Sequence, residues 1–155
     1  MSITQAMCTL FKMDVMLGDH HLDTDDIRIA LYSDQANLAA TTDAYITTAE
    51  ITNTAGSAYV AGGQRLTFDS GATPAVVAVA ENGTSGVFDA DDPEWTTASF
   101  TANGALIYNK TLYTADNSKG AIAVLAFGGN FAVSAGTFKI VLPAPTASNA
   151  IIRID

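Results

Sequence analysis

Apolar positions along this chain change their period once, and the change divides the sequence in two. Ile3, Ala6, Met7, Leu10, Met13 and Leu17 recur at helical spacing on one face, with Gln5, Thr9 and Lys12 opposite. Ser2 and Gln5 have the spacing of a capping box, and Gly18 suits the left-handed position after a last helical turn. The pattern predicts a helix over 2–17, with Asp14 as a discordant residue near its apolar face. That face is read as packing on a sheet; a partner-binding helix is the alternative.

Beyond Gly18 the period becomes two. Ile27, Ile29 and Leu31 alternate with Arg28, Ala30 and Tyr32, which predicts a strand with one buried face. Residues 34–63 are rich in Thr, Ala, Gly and Asn, with Tyr45, Ile51 and Tyr59 as isolated anchors. They read as a surface excursion with short paired pieces, closed by the Gly62-Gly63 turn. Strand signals then recur at 64–69, 75–80, 86–89, 95–101, 105–109, 121–127, 137–142 and 151–154. Asn82-Gly83 is a tight-turn dipeptide. Asn103-Gly104 is either a second turn or a bulge inside one long strand. Residues 121–127 are apolar on both faces and suit a central position, whereas 137–142 alternate and should expose one face. The expected fold is all-β: a jelly-roll-like β-sandwich with one N-terminal helix. A single domain spans 1–155, with residues 1–18 packed on or beside the sandwich.

Composition narrows the function classes. Hydrophobic residues make up 48% and charged residues 15% of 155 residues, which excludes a disordered tail. The net charge is −9, and no basic residue lies between Arg65 and Lys110. A phosphate track needs Lys and Arg to neutralise it, so no nucleic acid is expected as a partner. Anionic membrane surfaces are disfavoured for the same reason. Lys12 and Asp14 interrupt the apolar N-terminal run, so neither a signal peptide nor a membrane span is expected. One cysteine, Cys8, permits no intrachain disulfide and no cysteine-based zinc site.

Candidate chemistry is sparse. His20 and His21 are adjacent in a turn with Asp19, Asp23, Asp25 and Asp26; adjacent side chains seldom converge on one ion, so a solvated turn is favoured over a metal site. Asp89, Asp91, Asp92 and Glu94 could attract calcium by ligand type, but their spacing is not that of a calcium loop, and a solvated rim is favoured. Nucleophile-elbow, phosphate-loop and dinucleotide fingerprints are absent. No enzyme activity, catalytic residue, cofactor or metal is therefore expected. Tyr45 and Tyr59, isolated among small residues, are candidate interface anchors within 41–63, and Trp95 is a third. The alternative is that these rings close the sandwich from inside.

Four stretches resemble a family of small bacteriophage virion proteins: LDTDDIRIALYSDQANL, TTDAYITTAEITNTAGSAYVAGGQRLT, EWTTASFTANGALIYNKT, and AIAVLAFGGNFAVSAGTFKIVLPAP followed by IIRI. Together they span nearly the whole chain. The resemblance implies a capsid cement (decoration) protein, made in the host cytoplasm and placed on the capsid exterior. Its partners would be the major capsid protein and itself, as a homotrimer. A tail or tail-fibre component that binds a receptor is the alternative.

Overall fold

The computed structural model describes residues 1–52, 58–68, 78–146 and 148–155. Two long strands organise it. β6 (Glu94–Asn109) and β7 (Ala121–Lys139) pair antiparallel, from Tyr108 opposite Ala121 to Glu94 opposite Lys139. On its other edge β6 pairs with β2 (Ile27–Tyr32), which is buried along most of its length. The short strands β1 (Ala6–Met7) and β3 (Gln64–Arg65) complete a five-stranded sheet in the order β1-β7-β6-β2-β3. A three-stranded sheet, β4-β5-β8, comprises Ala78–Asn82, Ser85–Asp89 and Ile152–Ile154. The chain is thus mostly β, with two antiparallel sheets. Ile29, Leu31, Leu106, Ile107 and Val124 of the larger sheet share one buried cluster with Phe88 and Ile152 of the smaller.

The strand pairs expected at 95–101 and 105–109, and at 121–127 and 137–142, are each largely one continuous strand. Asn103-Gly104 lies inside one long strand and is no turn, but the bulge there belongs to the partner strand: Ala102 faces Phe131 and Gly104 faces Ala126, so residues 127–130 of β7 bulge opposite Asn103. Gly104 is required there, because a Cβ would lie 2.7 Å from both Leu125 O and Ile3 Cγ2. Past Lys139 the chain leaves β7, and Ile140 N–H donates to Pro93 O. The β4–β5 turn falls one residue later than Asn82-Gly83. Asn82 pairs with Ser85, and Gly83 takes φ 65° at the first central position. Of the expected strand at 64–69, Gln64–Arg65 form the ladder, while residue 69 and residues 75–77 of the expected 75–80 strand lie outside the described residues. Between β2 and β3, paired pieces occur as bridges: Ile3 to Leu38, Tyr32 to Glu50, and Ala44 to Gly120.

The N-terminal helix is shorter than its period suggests. α1 spans Thr9–Leu17, and residues 2–7 are extended. Their backbone groups go to other segments: Thr4 N–H donates to Leu38 O, Leu38 N–H to Ser2 O, and Ala6–Met7 ladder onto Val124–Ala123. Pairing covers the edge of β7, which a helix beginning at Ser2 would leave open. Within α1 the buried residues are Phe11 and Asp14, beside the N-cap residue Cys8. Met13 and Leu17, placed by the pattern on the packed face, are 46% and 66% exposed. Gly18 does end the helix in the left-handed region, its N–H donating to Val15 O. Six residues, Lys110–Ala115, form a second helix, α2, too short to show a period. Asn109 caps it by accepting from Leu112 N–H.

Gly63 and Gly18 both have positive φ, but only Gly63 sits against backbone, where a Cβ would come 1.9 Å from Ile29 O. Gly18→Ala should cost about 1–2 kcal/mol, from its left-handed φ alone. Gly63→Ala should cost more than ~4 kcal/mol, because β2 must move aside. Urea unfolding of the two variants checks the difference; equal losses would contradict the packing at Gly63.

Candidate interaction surface

The excursion between β2 and β3 is anchored by one carboxylate. Glu50 Oε2 accepts from Tyr45 Oη at 2.5 Å, while Oε1 accepts from Tyr59 Oη at 2.6 Å and from Gly62 N–H at 2.7 Å. Tyr59 Oη also accepts from Leu31 N–H at 3.0 Å, which ties the excursion to β2. The Tyr45 ring stacks on Tyr108 at 4.8 Å between centroids, and Tyr108 donates to Gly62 O at 2.8 Å. Tyr32 donates to Ile46 O at 2.7 Å. Trp95 packs beside Tyr59 and Phe138, with centroids 6.1 Å away in each case.

The candidate interface anchors thus have an internal use. Tyr59 is fully buried, Trp95 is 4% exposed, and Tyr45 is half-buried. Tyr59 and Trp95 offer a partner almost no area, which favours the alternative that these rings close the fold from inside. Sequence reasoning missed Glu50, the common acceptor of Tyr45 and Tyr59. A carboxylate five residues from one tyrosine and nine from the other was its only trace.

The polar turn after α1 is also used locally. Asp25 Oδ2 accepts from buried Asn109 Nδ2 at 2.6 Å and from His21 N–H at 3.0 Å. Asp26 pairs with Arg28, and Asp19 with Lys119. His20 lies edge-on to Phe11, with its Nδ1 3.3 Å from Asn109 Nδ2. Burial pushes its imidazole below the ordinary value, against the opposing pull of Asp14, Asp25 and Asp19. In the acidic run, Asp92 Oδ1 accepts from Leu142 N–H at 2.8 Å, and Oδ2 pairs with Lys139 at 3.2 Å. The Leu142 amide, then Lys139, holds its carboxyl below the usual range, whereas burial raises Asp89. Among the described residues, no three of His, Cys, Asp and Glu come together in a way that could hold a metal ion. Cys8 is buried, which pushes its thiol up to about 12 and leaves it a weak nucleophile.

An apolar face lies elsewhere. Phe11 and Val15 of α1 oppose Val79, Phe88, Ile152 and Ile154 of the small sheet across a cleft of about 180 Å³ lined by apolar residues throughout. Met13, Met16 and Leu17 stand exposed on the same helix. An apolar cleft open at the surface of an acidic chain has the character of an interaction surface, whereas Met13 and Leu17 project from the side of α1 opposite Phe11 and Val15. Among the described residues, no helix is long and apolar enough to cross a membrane. No protein-family model, curated protein or solved structure matches the chain.

Burial first, and then the charge or hydrogen bond of Glu50, raises Tyr59 and Tyr45, while burial raises Tyr108 to about 12. These phenols are neutral in the fold at values above their unfolded one of about 10. Their contribution is therefore complete below pH ~10 and is lost as pH rises through the folded values. The urea midpoint should fall above pH ~10, and Tyr59→Phe should flatten that fall. Glu50→Gln should cost ~2–3 kcal/mol near neutral pH, because one phenolic donor then faces an amide N–H. A flat alkaline profile, or a neutral Glu50→Gln, would contradict the anchoring role.

Proposed function

We propose that this protein is a bacteriophage capsid cement (decoration) protein. It binds the outer surface of the assembled major-capsid-protein lattice as a jelly-roll-like sandwich module and self-associates there, as a homotrimer. The observation that carries the reading is the apolar cleft between α1 and the small sheet on a chain of net charge −9. Acidic surroundings keep the free protein soluble, while the apolar cleft supplies the driving force for docking, ~25 cal/mol per Å² buried before ordering costs. The resemblance of four stretches to phage virion proteins supports the same reading.

A protein that binds only the assembled lattice stabilises it by mass action, and many copies multiply a weak contact. The role needs no catalytic residue and no cofactor. A sugar-binding tail module would be expected to present Trp95 and its tyrosines as platforms beside carboxylates. Here Trp95 and Tyr59 are buried, which favours the shell over the tail.

Particles lacking the protein should lose infectivity or release their genome at lower temperature, or at lower chelator concentration, than particles that carry it. Adding the purified protein back should restore their resistance. Equal robustness with and without the protein would reject the cement reading.

A further inference from the structure

The side chain of Asn109 has no freedom left. It is fully buried at the end of β6. Its Oδ1 accepts from Leu112 N–H at 3.1 Å, and its Nδ2 donates to Asp25 Oδ2 at 2.6 Å. Turning the amide over would set oxygen against the carboxylate and nitrogen against an N–H, so its orientation is fixed. The second Nδ2 hydrogen is left for His20 Nδ1, 3.3 Å away. That ring nitrogen is therefore the acceptor, and the neutral imidazole carries its proton on Nε2.

A second proton has no place in this arrangement. On Nδ1 it would make a donor face a donor, 3.3 Å from an amide that cannot turn. The charges around the ring are Asp14 on α1 and Asp19, Asp25 and His21 in the turn itself. Lys119, just before β7, pairs with Asp19, and Asp25 already accepts from Asn109 and from His21 N–H. Asp14 acts on His20 through its charge, yet neither its oxygens nor His20 Nε2 make a hydrogen bond among the described residues. Burial outweighs the three carboxylates and holds the imidazole below its ordinary value.

We propose that His20 is an acid-sensitive catch on the cleft between α1 and the small sheet: neutral, it is held by Asn109 against Phe11; protonated, it swings into solvent and uncovers the Phe11 ring. Phe11 lines that cleft, and His20 covers it edge-on, with centroids 4.8 Å apart. The ring is only half-buried, so a change of side-chain rotamer brings it to water. The backbone bonds of the turn, Lys110 N–H to Asp26 O and Asp25 N–H to His21 O, involve no titrating atom and stay in place. Acid thus enlarges the apolar cleft while the sheets remain folded. As a control on docking this rests on the shell reading, but the catch itself belongs to the free chain. Failure of the shell reading would show in the robustness of particles, not in the titration below.

The test is an NMR titration of the purified full chain from pH 7.5 to 5. His20 should titrate below ~6.5, and its contacts with the Phe11 ring should disappear with the same midpoint. A histidine that is neutral in the fold contributes stability above its unfolded value, and that contribution is lost as pH falls towards the folded one. The unfolding equilibrium constant from urea melts should therefore rise at least about threefold between pH 7.5 and 5.5. His20→Asn, whose Oδ1 can accept from Asn109 without titrating, should remove that rise, and His21→Asn, at an exposed position, should leave it. If His20→Asn does not fold, the wild-type titration decides alone. A His20 midpoint at or above ~6.5, as an imidazolium held by Asp14 would give, would overturn the proposal. So would rings still in contact after His20 has titrated, or a folded His20→Asn variant that keeps the acid response.

Discussion

The double pairing of β6 is the constraint on which the rest of the structure depends. From Gly104 to Asn109 every residue of this strand is buried, with β2 on one edge and β7 on the other. A strand in that position cannot leave an amide or carbonyl unmatched without a cost of ~1–3 kcal/mol for each buried group. Its neighbours are therefore fixed in register, and so is what they carry. β2 places Leu31 N–H against Tyr59, which brings Glu50 and the excursion down onto the sheet. β7 offers its outer edge to Ala6–Met7, which sets where α1 begins. At the end of β6, Asn109 donates to Asp25, lies beside His20 and caps α2 with its carbonyl. One buried amide thus links the turn after α1 to the second helix.

Much of this was legible in residues whose local chemistry allows few alternatives. Gly18 ends a helix because its φ of 80° suits few other residues. The alternation of Ile27 to Tyr32 gave β2 at its observed bounds but not its second buried face, since Ala30 and Tyr32 are buried as fully as Ile29 and Leu31. The N-terminal helix was misplaced at its start because a period of 3.6 over residues 3–7 cannot register a competing edge strand some 120 residues away. α1 also turned a different face inward: Cys8, Phe11 and Asp14 are buried, and Met13, Met16 and Leu17 are not. The tyrosines were left with two readings for a related reason. An isolated aromatic residue can anchor a partner or close its own fold, and Glu50, which decides between them, has no motif.

Asp14 shows the limit of that reasoning from the other side. It disturbed the apolar stripe and is fully buried, with carboxylate oxygens that accept no hydrogen bond among the described residues. Burying such a group without a partner costs stability. By contrast, the carboxylates that hold the fold together are matched to donors: Glu50 to two phenols and an amide, and Asp92 to an amide and a lysine. The fold's rigidity comes from these pairings. The cleft between α1 and the small sheet, by contrast, is lined by apolar residues throughout. This division suits a module that arrives folded and docks without rearrangement.

The central claim is that such a module covers a shell, and the number and position of its copies test it most directly. An electron-microscopy map of the particle that carries this protein should show density for this fold repeated across the outer capsid surface, once for each equivalent lattice position. Density confined to the tail, in a handful of copies, would contradict the account.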